Sequence, residues 1–388
     1  MRPGYFDHSA TTPMRPEAIE AMAGYLADDF GNPSGAHAMA RVARRAIDDA
    51  REIVADALGA EPGEVVFTSG GTEADNLAVL GGHDQRGGVV VGSAIEHPAV
   101  LDAVTSRQGI VVGVDRWGRI DLQALRTALE GARHVSVVSV MAVNNEIGTI
   151  QPLAGVADVV RELAPDAVLH TDAVQAVPWL DVARFGAPAD LISMSAHKFG
   201  GPKGVGALVV RQHASGAIAP RQRGGGQERE RRSGTPDVAG IVAMAEALSI
   251  TVAERTATVE RVARLRDRLA DELSARVPDT TETGVSGAAG TADRSGRVAG
   301  ACHLAFDGVE SEALLFLLEA DGIYASAGSS CASGAMEPSH VLSAMGVPRS
   351  RAFGSVRLSL GHASTDADVD LALEVIPPAV ARLREYAP

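Results

Sequence analysis

The stretch Ser193-Met194-Ser195-Ala196-His197-Lys198-Phe199-Gly200-Gly201-Pro202-Lys203-Gly204 decides how the chain is read. An apolar, strand-like run, Ala189 to Met194, ends in a small hydroxyl-bearing turn and then meets glycines that cannot continue a strand. Lys198 is therefore placed at a strand's end. Upstream, the apolar run Ala167 to Asp172 closes on a carboxylate, with the amide of Gln175 three residues on. Adjacent strands would carry Asp172 and Lys198 to one edge of a sheet, and in open α/β sheets ligands bind at the carboxyl edge.

An Asp–Lys couple at a loop is ordinarily an ion pair. It is also what pyridoxal phosphate requires of a protein: an amine for the Schiff base and a carboxylate that keeps the pyridine nitrogen protonated. These residues alone leave both readings open.

Working outward, strands and helices alternate. Residues 64–68 read as a strand, and Ser69-Gly70-Gly71-Thr72-Glu73 turns it into a helix. Backbone donors at that helix start, with no bulky side chain at Gly70 and Gly71, make either a phosphate cradle or an ordinary capping box. Strands follow at 88–92, 110–114 and 135–143, separated by helices at 98–106, 122–129 and 153–162. Such alternation predicts a twisted, mostly parallel sheet with helices on both faces. Residues 206–211 add a last, antiparallel strand. A helical pattern over 238–277 is long enough to bridge two domains, and 279–300 lacks periodicity and reads as an exposed loop. Beyond it come a strand at 303–306, helix 311–320, strand 356–360 and a closing helix from 365 to about 386. The expected division is a large domain over 14–255 and a smaller α+β domain from 1–13 and 256–388.

The string Ser-Ala-His-Lys-Phe-Gly-Gly-Pro-Lys-Gly, preceded by His170-Thr171-Asp172-Ala173-Val174-Gln175, resembles the fold-type I pyridoxal-phosphate enzymes, and within them the NifS/IscS-like cysteine desulfurases. Further matches run in order along the chain: Asp7 to Pro13, Phe30 to Ser34, Phe67 to Asn76, Asn144 to Thr149, Arg232-Ser233-Gly234-Thr235 and the Cys331 segment. The resemblance implies an α/β fold of that type. It implies pyridoxal 5'-phosphate held by Gly71, Thr72, His97, Asn145, Asp172, Gln175, Ser195, His197 and Lys198, with Thr235 reaching the cofactor phosphate of the other subunit of a homodimer. His97 would stack on the ring, Asn145 and Gln175 would bond its substituents, and Arg357 with Asn145 would bind the substrate carboxylate. Catalysis would fall to Lys198, His97 and Cys331.

The residues around Cys331 agree with that role. Gly328-Ser329-Ser330-Cys331-Ala332-Ser333-Gly334 is a run of small residues, whereas a structural thiol belongs among large apolar neighbours. Cys302, beside His303-Leu304-Ala305-Phe306, reads as an inert core thiol. Arg357 interrupts the strand Val356 to Leu360, where a guanidinium can hold a carboxylate through two parallel bonds. The implied reaction takes sulfur from L-cysteine, gives L-alanine and leaves a persulfide on Cys331, to be passed to an acceptor protein such as an iron–sulfur scaffold. The loop pattern resembles the group serving general iron–sulfur assembly. Gly71 and Ala196 stand where alanine and glycine are common, and the short tail after the last helix leaves the acceptor's docking unnamed.

Composition fits a soluble enzyme. The 388 residues are 46% hydrophobic and 22% charged, enough for one large core and a smaller one. A formal net charge of −14 argues against a nucleic-acid surface. Two cysteines make no disulfide framework, no basic leader opens the chain, and no run approaches the roughly 18 apolar residues of a membrane span. The expected compartment is the cytoplasm, and no metal-ligand spacing is present. Rival readings are a selenocysteine lyase or cysteine-sulfinate desulfinase, an aminotransferase of the same fold, and a cofactor-binding scaffold that would need neither Lys198 nor Cys331.

Overall fold

The computed structural model describes residues 3–286, 291–327 and 338–385; Cys331 lies outside them. The chain opens with strand β1 (Gly4–Tyr5), helix α1 (Pro16–Ala27) and helix α2 (Ala38–Leu58). Pro16 starts α1, where its missing N–H costs nothing. His37 accepts from Ala40 N to cap α2, and Gly59 ends it at φ +61°.

The alternating region follows as β2 (Val65–Thr68), α3 (Gly71–Arg86), β3 (Val89–Ser93), α4 (Pro98–Ser106), β4 (Ile110–Val112), α5 (Leu122–Gly131), β5 (Val135–Ser139), α6 (Leu153–Leu163), β6 (Val168–Asp172), α7 (Val182–Phe185), β7 (Leu191–Ser195) and β8 (Gly206–Val210). Seven of these strands form one sheet in the order β2-β8-β7-β6-β5-β3-β4. Only the β8 pairings are antiparallel. The inner strands β5 to β8 are buried along their whole length, as strands covered on both faces must be. On one face Val54, Leu125, Val156 and Leu248 pack from four helices; on the other Leu77, Ala78, Val100 and Val104 pack from α3 and α4.

Helix α8 (Val238–Arg276) runs out of this layer into a second core. Its Ile241 to Leu248 stretch is buried in the first core, and Val262, Leu265, Leu269 and Leu273 are buried in the second. There the elements are β9 (Thr280–Glu282), β10 (Ala301–Phe306), α9 (Ser311–Ala320), β11 (Ile323–Tyr324), α10 (His340–Ala344), α11 (Arg349–Phe353), β12 (Ser355–Ser359) and α12 (Asp366–Glu385). β10 sits between β12 and β9, both antiparallel to it. β1 pairs with β11, and Phe6 is fully buried beside Leu304, Leu358 and Ile376, so the N-terminal arm is part of this smaller core.

Two expectations are corrected. Residues 279–300 are not an exposed loop throughout: Thr280–Glu282 form a strand, and 297–300 are buried. Arg294 explains the missed order, because it bonds Glu282 and Asp271 and so ties a polar, aperiodic segment to β9 and α8. The strand expected over 135–143 ends at Ser139, because the chain turns at the sheet edge while Val140 to Val143 stay buried. Among the described residues no helix is long and apolar enough to cross a membrane.

Candidate active site

β6 and β7 are parallel neighbours in the register Asp172 to Ser193, so their carboxyl ends meet at one edge. Asp172 is 5% exposed and its Oδ1 accepts from Val174 N at 2.8 Å. Burial raises its pKa, with His97 and Lys198 opposing the rise. A short turn beyond β7 presents His197 and Lys198. Lys198 Nζ donates to the carbonyls of Ser9 at 2.6 Å and Ala10 at 2.8 Å, and Gln175 Nε2 donates to Ser9 O at 2.7 Å. The N-terminal arm thus clasps the lysine and the amide together. Burial lowers the Lys198 amine to about 8, helped by the positive Arg357 and opposed by Asp172 and Asp7.

His97 caps α4, its Nδ1 accepting from Ala99 N at 3.2 Å, which leaves Nε2 to carry the ring proton. Burial pushes it down, while Asp172 pulls it back up. His197 Nδ1 lies 3.2 Å from Thr11 Oγ1, and burial takes that ring to about 4. Ser195 closes β7 with 3% exposure.

The turn before α3 lies on the same edge. Thr68 and Ser195 both pair with Gly206, across β8. Gly70, at φ +146°, packs so closely over Gly206 that a Cβ there would stand 2.8 Å from Gly70 Cα and 2.5 Å from Met194 O. Among the described residues, a Cβ added at Gly70 would meet Ser195 Oγ at 3.7 Å and no other atom within 4 Å outside its chain neighbours. Ser69 N is taken by Glu73 at 2.6 Å, and the N–H groups of Gly71 and Thr72 open a 16-residue helix. Such a cradle accepts a phosphate.

Arg357 is 7% exposed on β12. Its Nη2 bonds Asp7 Oδ1 at 2.7 Å and its Nη1 bonds Asn145 O at 3.1 Å, while Nε is buried without a hydrogen-bond partner among the described residues. Nε therefore keeps one unused donor beside the Asp7 bond. Thr235 is exposed, and three residues before it Arg232 bonds Glu73 of the same chain at 2.7 Å.

The structure therefore brings Gly71, Thr72, His97, Asn145, Asp172, Gln175, Ser195, His197, Lys198 and Arg357 to one sheet edge, leaves Thr235 on the surface, and says nothing of Cys331. Several participants carried no assignment in the sequence. Asp7 stands in a quoted motif, but only the fold pairs it with Arg357. Glu228, in the Arg- and Gly-rich stretch 221–232, accepts from Arg51 at 2.7 Å and from Phe67 N at 2.9 Å. Asp75 sits behind Asp172, 3.6 Å from His170 Nε2; burial and the nearby Asp172 push its carboxyl well up. His170 bridges Ser139 and Ser193, and burial takes it to about 3.

A fold that sets a lysine and a buried carboxylate side by side at the end of a mostly parallel sheet with helices on both faces defines a class, and the chain belongs to the class-V aminotransferase family, whose profile matches residues 4–372. It is 47% identical to an IscS-like cysteine desulfurase of Mycobacterium tuberculosis over 99% of this chain and 98% of that protein. It is 42% identical to the cysteine desulfurase IscS of Methanosarcina thermophila, over 99% and 93%. Among solved structures, a NifS-like protein superposes with a TM-score of 0.88 at 33% identity, covering 98% of this chain and 100% of that one. SspA in complex with cysteine gives 0.77 at 30% identity, covering 93% and 100%.

Proposed function

We propose that the chain is a pyridoxal-phosphate-dependent cysteine desulfurase that takes sulfur from L-cysteine, forms L-alanine and carries the sulfur as a persulfide on Cys331. The observation that carries the reading is the shared edge: Lys198 and Gln175 held by one carbonyl of the arm, Asp172 buried beside them, and Arg357 bonded to Asn145 O and Asp7 with its Nε unpartnered among the described residues.

The residues fit the cofactor. The cradle at Gly70-Gly71-Thr72, with Ser195 beside it, suits a phosphate; Asp172 suits a pyridinium; His97, lowered by burial, suits the ring face. When bound, pyridoxal phosphate supplies an electron sink that lets an amino acid lose its Cα proton. Lys198 provides the covalent attachment point and, once released, a general base for that proton, a task suited to an amine lowered to about 8. Arg357 and Asn145 hold the substrate carboxylate and so fix which face Lys198 meets. The thiolate of Cys331 attacks the substrate sulfur; the carbon–sulfur bond breaks with its electron pair left on carbon, and that carbon is protonated. L-cysteine and a thiol become L-alanine and a persulfide, with no external oxidant.

Residues 14–255 form the cofactor domain in this reading, and 1–13 with 256–388 the domain bearing Cys331. A homodimer places Thr235 near the cofactor of the other subunit. The exposed apolar residues Ile19 and Leu26 on α1, Phe30 in the following loop, and Met39 and Val42 at the start of α2 offer that contact a surface. The persulfide passes to a sulfur acceptor in the cytoplasm, for iron–sulfur assembly or related transfer. The test is product identity from L-cysteine: alanine and sulfide in equal amounts in the presence of a thiol reductant support the reading. Pyruvate or a keto acid as the main product points to elimination or transamination and overturns it.

A further inference from the structure

Glu146 follows Asn145 in the loop after β5 and is only 3% exposed. Its Oε2 accepts from Ser339 Oγ at 2.6 Å. Its Oε1 stands 3.6 Å from His303 Nε2, and neither of those two atoms has a hydrogen-bond partner among the described residues. His303 is fully buried, bonded at Nδ1 to Thr283 Oγ1 at 2.9 Å, and paired in register with Arg357.

Ser339 caps α10, accepting from Val341 N at 3.1 Å, and the next residue, His340, lies 3.0 Å from Glu96 O, just before His97. The start of α10 is therefore bonded to both loops that carry site residues, one through Glu146 beside Asn145 and the other through Glu96 beside His97. In the sequence, Ser339 comes shortly after Cys331, with seven residues between them.

A carboxylate is an expensive way to tie a serine to a loop. An amide would satisfy Ser339 without leaving a buried oxygen 3.6 Å from an imidazole. What a carboxylate adds is a bond whose strength depends on its proton, since hydrogen bonds to an ionised acceptor are roughly twice as strong as neutral ones.

We infer that Glu146, acting through Ser339, is a positioning residue for sulfur transfer: it pins the C-terminal foot of the Cys331 segment to the loop that orients Arg357. This rests on the desulfurase reading above. Burial pushes the Glu146 carboxyl up to about 7, against the opposing pull of Ser339 and Arg357. His303, from β10, is kept neutral by burial and by Arg297 and Arg357, so it adds no positive charge to hold Glu146 ionised. Near neutral pH the Ser339 bond therefore strengthens as Glu146 loses its proton.

The experiment uses the cofactor-loaded enzyme as wild type, Ser339→Ala, Ser339→Thr and Glu146→Gln. L-cysteine binding is followed through the cofactor absorbance, and alanine and persulfide formation are timed between pH 6 and 8. The expected result at pH 8 is a fall in kcat of fivefold or more for Ser339→Ala and Glu146→Gln, with KM within twofold and Ser339→Thr restored to within twofold of wild type. The ratio of wild-type to Glu146→Gln rates should also rise with pH. Unchanged kcat in both variants, or a KM that moves as far as kcat, overturns the inference while leaving the desulfurase reading in place. A wild type that binds L-cysteine and makes no alanine overturns both.

Discussion

Covalent loading of the cofactor needs Lys198 as a free amine, and the structure sets when it has one. Burial, with Arg357 adding to it, brings the amine from 10.5 to about 8. At pH 7 about a tenth of an amine with that pKa is neutral, against about one part in 3,000 at the ordinary value, a difference of roughly 300-fold in reactive nucleophile. The perturbations are Arg357→Gln and Asp7→Asn, whose charges act on Lys198 with opposite signs. Removing the guanidinium raises the amine pKa and moves the pH midpoint of loading upward. Removing the Asp7 carboxylate takes away a stabilising charge and moves it downward, each by on the order of half a unit. The assay mixes cofactor-free protein with pyridoxal phosphate between pH 6 and 10.5 and follows the growth of the bound-cofactor absorbance. A rate flat across that range, or two variants that shift the midpoint in the same direction, refutes the reasoning.

Further expectations follow from the same geometry. Cys302 is fully buried and burial pushes its thiol up to about 12, so Cys302→Ala should keep sulfide production within twofold and lose stability by about 1–2 kcal/mol, read from rates and a urea melt. Gly206→Ala would put a Cβ 2.8 Å from Gly70 Cα; thermal unfolding should show a loss of about 1–3 kcal/mol, and cofactor titration a weaker affinity. Acid should destabilise the fold. His8 and His362 are lowered to about 4, and His170 and His303 to about 3, so between those values and 6.5 the unfolded chain binds protons the folded chain does not. Glu146, raised to about 7, works the other way, since the folded state holds its proton between 4.5 and 7, and Asp75, Glu96 and Asp172, whose carboxyls burial also raises, act in the same sense. Six lowered histidines, His97 and His197 included, outnumber these four raised acids, so the urea midpoint should fall from pH 7 to pH 5, and a midpoint equal or higher at pH 5 contradicts the balance.

The sheet edge was legible because each part of it leaves a local trace. Buried parallel strands read as apolar runs, glycines mark the turns, and Asp172 and Lys198 each stand at the end of such a run. Partnerships between distant residues leave none. Asp7 against Arg357, Ser9 O against Lys198, and Glu146 against Ser339 join positions 350, 189 and 193 residues apart, and only the packing of the arm and the smaller core onto the sheet brings them together. The order in 280–286 and 291–300 was hidden for a related reason. Its anchors are ion pairs from Arg294 and the burial of 297–300, neither of which produces a hydrophobic period. Glu228 shows the same limit, an acid with its side chain 7% exposed in the basic, Gly-rich stretch 221–232, whose composition favours a solvated turn.

The most direct test of the central claim compares wild type with Cys331→Ser, both loaded with cofactor, for alanine and sulfide released from L-cysteine with a thiol reductant. The account predicts both products from wild type and neither from a variant that still binds cofactor and L-cysteine. A variant as active as wild type would show that Cys331 is not the sulfur carrier.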